Sequence, residues 1–136
     1  MVNLPEEVFQ ALNNPKAGKV LATVTEEGTP HVIQVGSVMS PSPDKIAFGA
    51  VLMKRSGKNL EKAREEGKKI SILVTAELKS YEVHAKVLDF VTKGPIFDRM
   101  NEFLKAMGLQ ASGVWMVEPT DVWNQSASYE AGKQMV

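Results

Sequence analysis

The stretch Lys54-Arg55-Ser56-Gly57-Lys58-Asn59-Leu60 gathers three cations and a hydroxyl where the residue pattern predicts the start of a helix running from Ser56 to Glu66. A helix N-terminus already carries about half a positive charge and several unpaired N–H groups, so each added cation there costs roughly 0.3–1 kcal/mol. The far end is inverted in the same way: Glu65 and Glu66 precede the C-cap residue Gly67, where cations are normally favoured. A phosphate held by the free N–H groups, the Ser56 hydroxyl and the neighbouring Arg and Lys side chains would offset this unfavourable order. The alternative is a solvated basic turn whose side chains point into water.

The other chemically capable residues form no comparable pattern. His31 and His84 are the only histidines, neither has a carboxylate at ligand spacing, and the chain contains no cysteine, so no metal site is expected. Asp89 and Glu118 stand alone, Trp115 and the Met100/Met107 pair are assigned to core packing, and Trp123 to core or an interface. Gly36 falls inside an apparent strand, where glycine marks either the close approach of a ligand or a simple bulge.

Several elements must position the basic turn. Pro5, Glu6 and Glu7 open a short helix that ends at Asn13-Asn14-Pro15. Lys19 to Thr25 reads as a strand, Glu26-Glu27-Gly28-Thr29 as a turn, and His31 to Met39 as a second strand. Ser40-Pro41-Ser42-Pro43-Asp44 reads as a loop and Lys45 to Val51 as a third strand. After the basic helix, Ile70 to Ala76 has the continuous apolar character of a strand buried on both faces, and Tyr81, Val83, Ala85 and Val87 alternate as a half-buried one does. Pro95 and Gly108 bracket a helix with Ile96, Phe97, Met100, Phe103, Leu104 and Met107 at helical spacing, and Gly113 to Trp123 is a sixth strand.

With 136 residues and 43% hydrophobic content, the chain is expected to form one domain over residues 1–136, with a polar tail from 125 to 136 that is loosely ordered or packed on a partner. The 16 basic and 16 acidic residues cancel, which argues against nucleic acid as a partner. The apolar runs are far shorter than the ~20 residues of a membrane helix, and no secretory signal opens the chain; a cytoplasmic location away from membranes is expected. Six meandering strands with three helices suggest a mainly β fold, an antiparallel barrel with flanking helices.

Several short segments resemble the FMN-binding split-barrel family, which includes pyridoxamine 5′-phosphate oxidase and small FMN-binding proteins. Leu21 to His31, with its Gly-Thr-Pro-His turn, is similar to the family's first hairpin, Arg55-Ser56-x-x-Asn59-Leu60 to its phosphate loop, and Gly94-Pro95 with Phe97 to the start of its late helix. The resemblance covers roughly Val8 to Trp123. It implies a six-stranded antiparallel split β-barrel and a homodimer with FMN at the subunit interface.

The resemblance also assigns residues. Arg55 and Ser56 would hold the FMN phosphate, supported by Lys54, Lys58 and Asn59. Gly49, Ala50 and Val51 would lie along the isoalloxazine edge, with backbone N–H groups near the ring. Gln34, Val35, Gly36 and Ser37 would contact the pyrimidine end and ribityl chain. Ser80 stands where a related oxidase carries an amide side chain. Flavin supplies its own redox chemistry, so no catalytic triad need be visible and no catalytic residue is assigned. The chain has no arginine after Arg99, unlike the arginine-rich C-terminal segment of true pyridoxamine phosphate oxidases, so vitamin B6 oxidation is not expected. A small FMN-dependent oxidoreductase of unassigned substrate leads. A non-enzymatic FMN electron carrier and a binding module for haem or a deazaflavin are the alternatives.

Overall fold

The computed structural model describes residues 2–136. Three helices, α1 (Glu6–Leu12), α2 (Lys54–Glu66) and α3 (Pro95–Lys105), flank strands β1 (Gly18–Val24), β2 (Pro30–Gln34), β3 (Met39–Ser42), β4 (Lys45–Gly49), β5 (Lys69–Ala76), β6 (Lys79–Val91), β7 (Val114–Asn124) and β8 (Lys133–Gln134). All pairings are antiparallel, in the order β2-β1-β5-β6-β7-β4-β3, with β8 beside β7. The protein is mainly β, as expected, but the sheet has eight strands rather than six, and it is open between β2 and β3.

One extra strand pairs locally and is tied down by a residue distant in sequence; the other comes from the tail folding back. The run expected as one strand from His31 to Met39 breaks at a Gly36–Ser37 turn, so Gly36 lies in that turn and not within a strand. β3 then occupies Met39–Ser42, which the Ser-Pro-Ser-Pro pattern marks as loop. The Asn13 side chain fixes it, accepting from the Ser40 N–H at 2.8 Å and donating to the Ser40 carbonyl at 2.9 Å. Pro41 is tolerated because β3 is an edge strand and no ladder partner calls for its missing N–H. The tail, expected to be loose or packed on a partner, returns to its own chain: Lys133–Gln134 pairs with β7, and Met135 donates to the Val122 carbonyl at 2.7 Å and packs on the core.

The inward rows of the strands (Leu21, Phe48, Ile72, Val83) form the main core with Leu12 and Leu60 from the helices. A second cluster, Ala47, Met100, Leu104, Ala111 and Val114, lies under α3 on the opposite face of β4. The predicted apolar stripe of α3 is only partly buried: Met100 and Leu104 are sealed, whereas Phe103 and Met107 are about half exposed. Gly113 is required by packing, since a Cβ there would lie 2.2 Å from the Phe90 ring, which itself packs at a tilt of 50° against Trp115, ring centres 4.6 Å apart. No helix among the described residues is long and apolar enough to cross a membrane.

Candidate functional site

α2 begins at Lys54, two residues before the sequence predicts, so Lys54, Arg55 and Ser56 form its first turn. Its N-cap is Met53, which makes no side-chain capping hydrogen bond, and the turn contains no acidic residue. The helix ends as predicted at Gly67, in the left-handed conformation with φ 66°. On its inner side Leu60 is fully buried, Ser56 nearly so, and the Asn59 amide donates to Thr23 Oγ1 at 3.0 Å, tying the helix to β1.

The cations of α2 divide into two groups. Toward the C-terminus, Lys62 meets Glu26 at 3.2 Å and Arg64 meets Asp89 at 3.6 Å. Among the described residues, Lys54, Arg55 and Lys58 have no carboxylate within 4.0 Å. Unpartnered positive charge is thus concentrated at the uncapped helix end, where it is least favourable. Just ahead of this turn, Leu52 adopts φ 52° with its side chain 92% exposed, a conformation that costs a branched side chain energy and that concentrates near functional segments.

The residues assigned from sequence do not converge on one cavity of the chain. Arg55, Lys58 and Asn59 line a groove of about 550 Å³ against the β1–β2 turn, which Glu26, Glu27, Glu61 and Glu65 also line, so the unpaired positive charge is confined to the start of the helix. Lys54 and Ala50 line another, of about 320 Å³, with Leu52, Phe90 and Trp115. Gly36 and Ser37 line a third, of about 330 Å³, beside α3. Ser37 and Gly49 are joined directly, because the Gly49 N–H donates to Ser37 Oγ at 3.0 Å. The Ala50 N–H donates to the Gly113 carbonyl at 2.9 Å, so two of the three amides expected to face a flavin ring are already engaged. Gly49 is small for a different reason: Leu104, Met100 and Ala111 of the α3 region lie 3.1–3.3 Å from where its Cβ would be. Gln34 is exposed on β2, Val35 is buried in the main core, and Val51 packs on the second cluster.

The expectations drawn from sequence did not include the polar network that lies on the outer face of β5, β6 and β7. His84, expected to have no carboxylate partner, has two: Asp121 at 2.6 Å from Nδ1 and Glu82 at 3.0 Å from Nε2. Asp121 also accepts from Lys69, Thr120 and the Trp123 indole, and Glu82 accepts from Ser71 and Gln125. Burial opposes the charged form of Asp121, but these hydrogen bonds outweigh it and hold the carboxyl well below the usual range. Glu82 is lowered for the same balance of reasons. The Glu82-x-His84 spacing, which puts both side chains on one strand face, was the available signal; Asp121 arrives only through β6–β7 pairing. Asp89, read as isolated, is likewise paired, with Arg64. Among the described residues no cluster of His, Asp and Glu is arranged to hold a metal ion.

No family model and no curated protein matches the chain. Solved structures do. An FMN-binding protein from Syntrophomonas wolfei superposes with TM-score 0.73 at 13% identity, covering 90% of this chain and 88% of its own. A putative pyridoxamine 5′-phosphate oxidase from Lactobacillus delbrueckii gives TM-score 0.68 at 18% identity over 89% and 93% of the two chains. HutZ, the haem storage protein from Vibrio cholerae, gives 0.62 at 17% over 92% and 97%. The fold is the split barrel of pyridoxamine 5′-phosphate oxidase-like proteins, a scaffold whose solved members include flavin and haem proteins.

Proposed function

We propose that the protein binds FMN, with the cofactor phosphate at the first turn of α2. The observation that carries this reading is the set of unpaired cations, Lys54, Arg55 and Lys58, at a helix end that has neither a cap nor an acidic side chain. Those residues fit a phosphate in charge and in donor chemistry: Arg55 supplies a charge-assisted fork, and the helix N–H groups and the Ser56 hydroxyl supply further donors. A phosphate monoester brings more charge and more acceptor oxygens to this turn than a haem propionate carboxylate does, and the His84 ring, with both nitrogens engaged by carboxylates, is not free to ligate haem iron.

FMN, when bound, supplies hydride and electron transfer; the chain's own part is to bind and orient it. We assign the protein as a small FMN-dependent oxidoreductase acting as a homodimer. The dispersal of the assigned residues over three cavities supports a ligand completed by a second subunit, as does the outer sheet face, where Val20, Leu73 and Val32 remain partly exposed. Titration of the purified protein with FMN, followed by flavin absorbance and fluorescence, tests the reading: saturable 1:1 binding per chain is expected, and no binding at micromolar FMN overturns it. Turnover of NAD(P)H with a small acceptor then distinguishes an enzyme from an electron carrier, which would undergo photoreduction without turnover.

A further inference from the structure

Lys19 lies in the inward-facing row of β1 with Leu21 and Thr23 and is only 6% exposed. Among the described residues the sealed polar atom without a partner is Trp115 Nε1, not the Lys19 ammonium, so the lysine buries its stem while its charged end stays at the open space beside it. Among the described residues Lys19 has no carboxylate within 4.0 Å, and its ammonium makes no hydrogen bond. It lines the 330 Å³ cavity that runs between the end of α1, the Gly36–Ser37 turn and α3.

The other walls of that cavity share one character. Arg99 of α3 reaches it, and among the described residues Arg99 has no ion pair and no acidic residue lines the cavity. Ser37, 7% exposed, accepts the Gly49 N–H through its oxygen, so its own proton remains available to donate. Asn13 is committed to Ser40 through both ends of its amide. Leu12, Pro15, Val38, Met39 and Phe103 make up the apolar remainder, and the exposed half of Phe103 is the edge of this cavity rather than a stray surface patch.

We propose that Lys19, Arg99 and the Ser37 hydroxyl form an anion site, separate from the α2 turn, that takes the carboxylate or phosphate of a small molecule with an apolar body. The volume admits a compact ligand only, near the lower limit for such sites. Burial also pushes the Lys19 ammonium below the usual lysine range, a tendency that a bound anion would reverse. Because Gly36 and Ser37 belong both to this cavity and to the residues assigned to the flavin, an anion bound here would lie beside the cofactor, where a substrate of the oxidoreductase must sit. That last step rests on the FMN reading; the anion site itself does not.

Cofactor-free protein is titrated with benzoate and, separately, with phenyl phosphate, with benzamide as the uncharged control, while the amide resonances of Lys19, Gly36 and Ser37 are followed by NMR. One anion is expected to give saturable shifts at those amides, weakened about tenfold or more in Lys19→Met and in Arg99→Ala, the loss typical of a hydrogen bond to a charged group; benzamide should give none. The tighter of the two probes identifies carboxylate or phosphate. Absence of saturable shifts with both anions overturns the site, as does unchanged affinity in Lys19→Met, which would make Lys19 a core residue alone. Lys19→Met keeps the side-chain length and removes a charge from a mostly buried side chain, so its thermal midpoint should equal or exceed the parent's; should it not fold, Arg99→Ala, at an exposed helix position, decides the question. FMN uptake is read separately by absorbance: protein that takes up FMN but neither probe removes the anion site alone, and the converse removes the FMN reading alone.

Discussion

Arg55 can be tested by what it should distinguish. If it grips a phosphate, Arg55→Ala weakens FMN by about 1.5–3 kcal/mol, the range for a hydrogen bond to a charged group, and leaves riboflavin binding unchanged. Equal loss for both ligands, measured by fluorescence titration, would assign Arg55 to the ring or to the fold. Asp121 makes a stability prediction. Its carboxyl is held below the unfolded value of about 3.9, so it contributes stability that is fully present above that pH and is lost as the pH falls toward the folded value. Asp121→Asn should cost about 1–3 kcal/mol at neutral pH, by leaving His84, Lys69 and Trp123 poorly matched. The variant's stability should then change less than the parent's as pH falls below 4, as chemical denaturation in acid will show. Arg55 was readable from sequence because its signal is local, a charge in the wrong place on a helix. The Asp121 network was not, because its members come from three strands and meet only after the sheet has paired.

At the scale of elements, α2 holds to the barrel through few apolar side chains, chiefly Leu60 and Ala63, and through the Asn59–Thr23 bond. Its first turn carries unbalanced charge, so this turn should open first when no anion is present. Amides from Arg55 to Lys62 are expected to exchange much faster in cofactor-free than in FMN-saturated protein, whereas those of Ile70 to Val74 in β5 change little. Equal protection with and without FMN would detach the cofactor from this helix. Elements with a strong internal period, β1, β5, β6 and α2, were legible in the sequence to within a few residues. β3 was not, because its serines and prolines favour a loop; its pairing with β4 is reinforced by Asn13, 27 residues away in sequence, which no local pattern reveals. The outward turn of Phe103 was equally hidden: periodicity places it on the apolar face of α3, but the helix has only one wall to pack on.

For the whole molecule, a twofold dimer is expected, because a ligand shared across an isologous contact creates two equivalent sites. Sedimentation at micromolar concentration with FMN present should give twice the chain mass; a single monomeric species would refute the shared site. The same experiment on protein carrying Val20→Lys or Leu73→Lys on the outer sheet face should shift it toward monomer.

The two unpaired margins of the sheet, β2 and β3, are consecutive in the chain, and only residues 35–38 separate them. The gap in the barrel is therefore fastened covalently rather than by a ladder of hydrogen bonds, and Ser37, through Gly49, pins the fastening to β4. Such a clasp limits how far the seam can spread while leaving its neighbouring cavity, with Lys19 on one wall, free to admit a guest. A circular permutant cut between Gly36 and Ser37, with its original ends joined, would keep every strand pairing yet undo the clasp, turning a hinged opening into a loose one.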